Sequence, residues 1–334
     1  MNALPVFLRA LLLTALFLAQ TASASNQATD QPAAPADRAD RALYIESLLS
    51  DAVDIPTWGH LTHGELAVGF RYERGLSIWY PAEAGGAPVT LAAYASARDF
   101  QGRRVKVSDL LQRPMYASEG APPLAGPYPL VVVPGGYLNP GMVAATAEYL
   151  ASHGLLVVFF QVPSDVSNKK ALSHALVMAG QIDLPQADKS RVALWGYQRG
   201  GALAMIMQDP FEAQAVISVE GSEGWRHEEY GYPALRRQLK KIKGQAPVLR
   251  FASSREKPRW YFSSPANTTL EWYSEYAGSF EPVDLGEVNH DQLSAFAIWA
   301  HLAPGFMKPS AGALTAHRTM AEAGLRFLKT HFEG

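Results

Sequence analysis

The segment RVALWGYQRGG, residues 191–201, decides the fold prediction. Its first part, Arg191–Trp195, is a short apolar run typical of a buried strand, and Gly200–Gln208 has the pattern of a helix. A turn lies between them, with Gly196 two positions before Gln198 and Gly200 two positions after it. Small residues at this spacing permit a sharp strand-to-helix turn, so the sequence predicts that Gln198 stands at the end of a strand.

Short apolar strands alternate with helices on both sides of this turn. The predicted strands are Leu130–Val133, Leu155–Phe160, Arg191–Trp195, Ala215–Val219, Val248–Ala252 and Phe280–Leu285. The predicted helices are Gly141–His153, Lys169–Ile182, Gly200–Gln208, Gln292–Leu302 and Ala311–Phe332. Upstream, Glu65–Arg71 and Leu76–Tyr80 flank a turn at Gly75, and Val89–Tyr94 is a further candidate strand. This order predicts an α/β fold with a mostly parallel central sheet, helices on both faces and an N-terminal antiparallel hairpin.

The composition excludes several classes of protein. The 334 residues carry 29 Lys and Arg against 31 Asp and Glu, a net charge of −2, which argues against nucleic-acid binding. The absence of cysteine excludes thiolate catalysis, disulfides and cysteine-held metal clusters. His60, His63 and Glu65 are close together, but they lie in a predicted turn entering a strand rather than on a helix. We therefore predict neither a cofactor nor a metal site.

The N-terminus predicts export from the cytoplasm. The run Ala10–Ala19 is apolar except for one threonine, and Ala22–Ala24 forms an Ala-x-Ala pattern typical of a signal-peptide cleavage site. We predict a signal peptide over residues 1–24, a flexible leader over residues 25–40 and a single domain over residues 41–334. The mature chain is expected to be soluble, periplasmic or secreted, with no membrane-spanning segment.

The residue at the centre of the turn limits the chemistry. A turn of the form Gly-x-Ser-x-Gly presents a serine nucleophile, whereas this chain has Gln198 at the central position. A serine hydroxyl can lose its proton to an imidazole and attack a carbonyl. A carboxamide has no ionisable proton near neutral pH and can only donate and accept hydrogen bonds. An acyl-enzyme intermediate at Gln198 is therefore excluded.

Three segments together resemble the α/β-hydrolase superfamily, in particular the branch of platelet-activating-factor acetylhydrolases and dienelactone-hydrolase-like proteins. They are Tyr128–Gly136, the turn around Gln198, and Val288–Phe296, and their order along the chain is more specific than any one of them. The resemblance covers about half the chain and implies an α/β-hydrolase fold. The first segment departs from the branch, because Gly135 stands where a histidine is usual.

The resemblance also implies roles for individual residues. His290 takes the position of the general base, and Glu220 takes that of its acid partner, although the branch usually has aspartate there. The backbone N–H groups of Arg199 and Tyr137 would form an oxyanion hole. The other acid candidates in this region are Glu223, Asp284 and Glu256.

Three functions remain open at this stage. The first is a non-acylating enzyme in which His290 and Glu220 transfer protons on a small apolar or ester-like substrate. The second is a catalytically inactive binding protein for a small-molecule or lipid-like ligand. The third is an ester hydrolase that uses activated water or another nucleophile, for which Ser222 and Ser253 lie near strand ends. Aromatic residues that could form an apolar ligand rim or simply a packed core follow the acid strand: Trp225, Trp260, Tyr261, Phe262, Trp272, Tyr273 and Tyr276.

Overall fold

The computed structural model describes residues 60–95, 111–136, 138–163, 168–221, 241–242, 245–253, 277–288, 290–295 and 312–333. All of these residues belong to one compact unit, Leu48–Gly334. The signal peptide and leader predicted for residues 1–24 and 25–40 lie outside the described residues and stay predictions.

Ten strands of the described residues form one sheet, in the order β10-β9-β8-β7-β5-β6-β2-β1-β4-β3. The strands are β1 (Ala67–Glu73), β2 (Leu76–Ala82), β3 (Ala87–Thr90), β4 (Pro114–Glu119), β5 (Tyr128–Pro134), β6 (Leu156–Phe160), β7 (Ala187–Tyr197), β8 (Ala215–Val219), β9 (Val248–Ala252) and β10 (Phe280–Asp284). From β6 through β5, β7, β8 and β9 to β10 every pairing is parallel. The N-terminal hairpin of β1 and β2 joins this run through an antiparallel pairing of β2 with β6.

Helices cover both faces of the sheet. Side chains alternate along each strand, so neighbouring residues of a strand pack in different cores. The described helices are α1 (Pro140–Ser152), α2 (Asn168–Gly180), α3 (Arg199–Phe211) and α4 (Ala313–Glu333). Val131, Trp195 and Ile217 pack in one apolar core with α1 and α4. Their chain neighbours, including Leu194 and Val216, pack in a second core with α2 and α3. Two cores separated by a mostly parallel sheet confirm the predicted α/β architecture.

Two predicted elements need correction. The candidate strand Val89–Tyr94 is strand only up to Thr90, and Leu91–Ala93 is a short 3-10 helix. The chain turns there because the Leu91 N–H donates to the Arg113 carbonyl and the Tyr94 side chain is held by α1. The predicted helix Gln292–Leu302 begins instead as a 3-10 helix, His290–Leu293, and residues 296–302 lie outside the described residues. No helix in the described part of the chain is long and apolar enough to cross a bilayer.

Candidate functional site

The turn between β7 and α3 consists of one residue, Gln198. Its backbone angles are φ 47° and ψ −117°, a strained conformation for a residue with a Cβ atom. The Gln198 N–H donates to the Val219 carbonyl at 2.9 Å, and the Gln198 carbonyl accepts from the Gly201 N–H at 3.0 Å. The turn is therefore held between the end of β8 and the first turn of α3.

The glycines on either side of Gln198 are required by close backbone approaches. A Cβ atom at Gly196 would collide with the Gly200 carbonyl oxygen, and one at Gly200 would collide with the Pro134 carbonyl oxygen. Gly136 has a φ of 55°, and a Cβ atom there would lie 2.7 Å from the Gly200 nitrogen. The loop after β5 thus crosses directly over the N-terminus of α3.

This crossing is where the predicted oxyanion hole would lie. Arg199 is the first residue of α3, so its N–H group belongs to the N-terminus of the helix. Its side chain is buried and donates from Nη1 to the Pro163 carbonyl at 3.2 Å, just beyond β6. Tyr137, the other predicted donor, lies outside the described residues.

The packing around Gly135 explains why the segment Tyr128–Gly136 has no histidine at this position. Its N–H donates to the Phe160 carbonyl at 2.8 Å, continuing the pairing of β5 with β6. A Cβ atom at this position would lie 2.5 Å from Cζ of the Phe159 ring, which is itself buried. A histidine at position 135 would therefore require Phe159 to move.

Glu220 follows β8 directly and lies inside the protein. It is 1% exposed, and like Gln198 it has a positive φ, of 44°. The Glu220 N–H donates to the Phe251 carbonyl at 2.8 Å, and its carboxylate oxygen Oε1 accepts from the Ser253 N–H at 2.9 Å. The carboxylate is thus held against the end of β9.

The segment that carries His290 is tied to the same place. The Ser253 hydroxyl lies 3.0 Å from the Gly286 carbonyl oxygen and 2.5 Å from that of Val288, and it donates to them. The backbone of His290 begins the 3-10 helix two residues later; its imidazole lies outside the described side chains. The structure therefore brings the Gln198 turn, Glu220 and the chain leading to His290 to the carboxyl ends of β7, β8 and β9.

The other candidate residues have different surroundings. Asp284 is exposed, and its carboxylate accepts from the Gly286 N–H at 2.8 Å. Ser253 is buried with its hydroxyl donated to carbonyls, a poor arrangement for a nucleophile. Several candidates lie outside the described residues: Ser222, Glu223, Glu256 and the aromatic residues Trp225, Trp260, Tyr261, Phe262, Trp272, Tyr273 and Tyr276.

The histidines near the start of the described chain belong to packing contacts. His60 Nε2 lies 2.9 Å from His317 Nδ1, and the His63 ring stacks on Tyr116 with 3.8 Å between ring centroids. Glu65 is exposed. Within the described ranges, no group of three or more His, Asp or Glu side chains is arranged to hold a metal ion.

Sequence reasoning missed a buried polar chain beside the turn. Tyr197, the residue before Gln198, is buried, and this burial raises the pKa of its phenol to about 12. Its hydroxyl lies 3.4 Å from Thr146 Oγ1, which lies 3.3 Å from Nε2 of His317. These residues come from three distant parts of the sequence, and no local pattern connects them.

Comparison with solved structures identifies the architecture. A ferulic acid esterase from Streptomyces cinnamoneus matches with a TM-score of 0.56 and 16% identity, over 84% of this chain and 93% of the esterase. The chain has the α/β-hydrolase fold. Esterase B from Lactobacillus rhamnosis matches with a TM-score of 0.47 and 14% identity, over 89% of this chain and 97% of that protein. No family model matches the chain, and no curated protein matches it by sequence.

Within this α/β-hydrolase fold, the Gln198 turn lies where ligands of open parallel sheets bind, outside the carboxyl ends of the strands. A carboxamide at this turn can donate and accept hydrogen bonds but cannot attack a carbonyl. The Gln198 side chain itself therefore offers hydrogen bonding at this turn and no attacking oxygen.

Proposed function

We propose that this protein is a non-acylating enzyme that moves a proton on a small apolar or ester-like substrate, with His290 as the base and Glu220 as its acid partner. In this proposal Gln198 occupies the position that the resembling hydrolases give to a serine nucleophile. The observation that carries the proposal is the strained backbone of Gln198, with its φ of 47° and ψ of −117°.

Strain of this kind supports a functional role. A residue held in a sparsely populated backbone region costs about 1–3 kcal/mol and persists only where its surroundings impose it. Here the hydrogen bonds of the Gln198 backbone to Val219 and Gly201 hold it in place, although no serine benefits from the geometry. A protein that needed only a connection between β7 and α3 would gain stability by relaxing this turn.

The proposed step leaves no bond between substrate and protein. The His290 imidazole takes a proton from an acidic C–H or O–H group of the bound substrate. The oxyanion that forms accepts hydrogen bonds from the backbone N–H groups of Arg199 and Tyr137, and the Gln198 amide orients the substrate. The Glu220 carboxylate stabilises the imidazolium until the proton returns to the product.

The first experiment tests whether base and oxyanion hole are in place. We expect Gln198→Ser to hydrolyse p-nitrophenyl acetate with a burst of p-nitrophenolate, because the new hydroxyl can transfer its proton to His290. Gln198→Ala is the matched control, since it changes the same side chain without adding a nucleophile. The gained activity should disappear in Gln198→Ser/His290→Ala. A folded Gln198→Ser protein without activity would contradict the proposal.

The second experiment tests the parent protein directly. In D₂O, NMR should show exchange of the α-protons of methyl phenylacetate, a small apolar ester, in the presence of the parent protein. His290→Ala should reduce this exchange to the uncatalysed rate. A fluorophosphonate probe should leave the parent protein unlabelled, and stoichiometric labelling at any serine would instead favour an ester hydrolase.

The alternative is a pseudoenzyme that binds a small-molecule or lipid-like ligand. Gln198 favours it, because an amide is suited to hold a ligand rather than to transform it. This alternative predicts ligand binding that Gln198→Ala weakens, together with no α-proton exchange.

We further propose, from residues 1–24, that the protein acts in the periplasm or after secretion. N-terminal sequencing of the exported protein should find Ser25 as the first residue.

A further inference from the structure

Ser253 connects the two parts of the site that the proposed proton transfer requires. Its backbone N–H donates to Oε1 of Glu220 at 2.9 Å. Its hydroxyl donates to the Val288 carbonyl, 2.5 Å away, and approaches the Gly286 carbonyl at 3.0 Å. One residue thus contacts both the carboxylate at the end of β8 and the turn that leads from β10 to His290.

We propose that Ser253 is a positioning residue that sets the His290 segment at the correct distance from the Glu220 carboxylate. This inference rests on the proposed function, because it assigns Ser253 a role in the same His290–Glu220 pair.

The packing around Ser253 favours this role over that of a surface serine. Ser253 is 4% exposed, and Val288 is 2% exposed, so their hydrogen bond is shielded from water. Removal of the Ser253 hydroxyl leaves the buried Val288 carbonyl without this donor. A buried carbonyl that loses its donor either destabilises the protein or moves to another partner. Since Val288 is only two residues before His290, movement of its carbonyl is transmitted directly to the His290 backbone.

The other contacts of this turn do not replace the serine. The Gly286 N–H donates to Asp284, and the Val288 N–H donates back to the Gly286 carbonyl at 2.9 Å, so both contacts stay within residues 284–288. The Leu285 N–H donates to the Ala252 carbonyl at 2.8 Å, which aligns the end of β10 with β9. The Ser253 hydroxyl, in contrast, joins the 286–288 turn itself to the strand end that holds Glu220.

The test measures the His290 ring directly and needs no catalytic activity. The protein contains nine histidines, and the ring signal of His290 is assigned by its loss in His290→Gln in ¹H–¹³C NMR spectra. A carboxylate next to an imidazole raises the midpoint of its titration. We expect Glu220→Gln to lower the His290 midpoint by about 1 pH unit and Ser253→Ala to lower it by at least half as much. Ser253→Thr, which keeps the hydroxyl, should titrate like the parent protein.

A matched control separates positioning from a general loss of stability. Ser152 is 1% exposed, and its hydroxyl donates to the Tyr149 carbonyl at 2.7 Å, at the end of α1 remote from the loop after β5. The same hydroxyl accepts from the Gly64 N–H at 2.8 Å and lies 3.3 Å from His153 Nδ1. Ser152→Ala therefore removes at least as many buried hydrogen bonds as Ser253→Ala and should leave the His290 midpoint unchanged. If Ser253→Ala does not fold, Ser253→Cys retains the volume while weakening the donor, and it serves the same test.

The outcomes distinguish the two proposals. If Glu220→Gln lowers the His290 midpoint and Ser253→Ala does not, the role of Ser253 is overturned while the His290–Glu220 pair stands. If Glu220→Gln itself has no effect, the pair does not exist, and both the proposed function and this inference are overturned. A Ser253→Thr protein that titrates like Ser253→Ala would assign the effect to packing and overturn the role of the hydroxyl.

Discussion

At the residue scale, Gly135 and Phe159 compete for one small volume beside the Gln198 turn. Because a Cβ atom at position 135 would lie 2.5 Å from Cζ of Phe159, Gly135→Ala should destabilise the protein by about 1–3 kcal/mol. Phe159→Leu removes the contacting ring atoms, so the double variant should be about 1 kcal/mol more stable than the two single effects predict. Urea unfolding of the four proteins measures this coupling.

A second double-mutant cycle, with Phe160 in place of Phe159, provides the control for this coupling. Phe160 is equally buried, but its side chain packs in the opposite core, so Phe160→Leu and Gly135→Ala should have additive effects. Equal coupling in both cycles would show that the destabilisation at Gly135 does not come from the Phe159 ring.

Gly200 allows a second prediction at this scale. A Cβ atom there would collide with the Pro134 carbonyl oxygen, which belongs to the sheet and cannot move aside cheaply. Gly200→Ala should therefore lower the free energy of unfolding by about 2–3 kcal/mol. Gly180, the last residue of α2, has open space around its Cβ position, and Gly180→Ala should be neutral or stabilising by about 0.5–1 kcal/mol. Equal values for the two variants would contradict the close approach at Gly200.

At the scale of secondary-structure elements, α1 holds the edge of the sheet through a buried carboxylate. Glu148 is fully buried, and it accepts from the Tyr94 hydroxyl at 2.8 Å and from the N–H groups of Tyr116 and Ala117 at 3.2 Å. Burial, together with the charge of Glu148, raises the pKa of the Tyr94 phenol well above its ordinary value. One side chain of α1 therefore fastens both β4 and the chain after β3.

Replacement of this carboxylate should weaken the whole edge. Glu148→Gln keeps the size of the side chain but directs an NH₂ group toward backbone donors, so we expect a loss of about 1–3 kcal/mol of stability. Tyr94→Phe removes one donor and should cost about 1 kcal/mol. Urea unfolding measures both effects, and hydrogen exchange at Ala117 should increase in Glu148→Gln. A Glu148→Gln protein as stable as the parent would show that the carboxylate does not hold this edge.

The sequence predicted those elements whose pattern is local. The apolar runs of β5 to β9 and the glycine spacing around Gln198 are visible within a few residues, and the structure has strands and a turn at these places. β4 was not predicted, because its stretch is polar and mixed and it is a strand only through pairing with β1 and β3. The link from Glu220 through Ser253 to Val288 spans 68 residues, since 288 − 220 = 68, and no local pattern encodes it.

At the scale of the whole molecule, the buried His317 and the half-buried His63 make stability depend on pH. Burial lowers the pKa of His317 from its usual 6.5 to about 4, and burial together with the charge of His153 lowers that of His63 to about 4. The His317 ring contacts His60 and Thr146, and Arg318 donates to the His60 carbonyl. The contact between His60 and His317 also requires one ring to accept a hydrogen bond, so it is lost when both are protonated.

These shifts fix the sign of the pH dependence. Between pH 6.5 and about 4 the unfolded chain binds protons at His63 and His317 that the folded protein does not, so stability is complete above pH 6.5 and falls as the pH drops through this window. Each histidine contributes a slope of about 1.4 kcal/mol per pH unit. Urea unfolding at pH 7.5, 6.0 and 5.0 gives the free energy of unfolding as a function of pH. For His317→Gln this free energy should depend on pH less steeply than for the parent protein, by that amount, because the variant has no ring to protonate. Thr146→Val, which removes the hydroxyl beside His317 but keeps the buried ring, should retain the parent slope. An unchanged slope in His317→Gln would show that His317 accepts its proton in the folded protein as easily as in the unfolded chain.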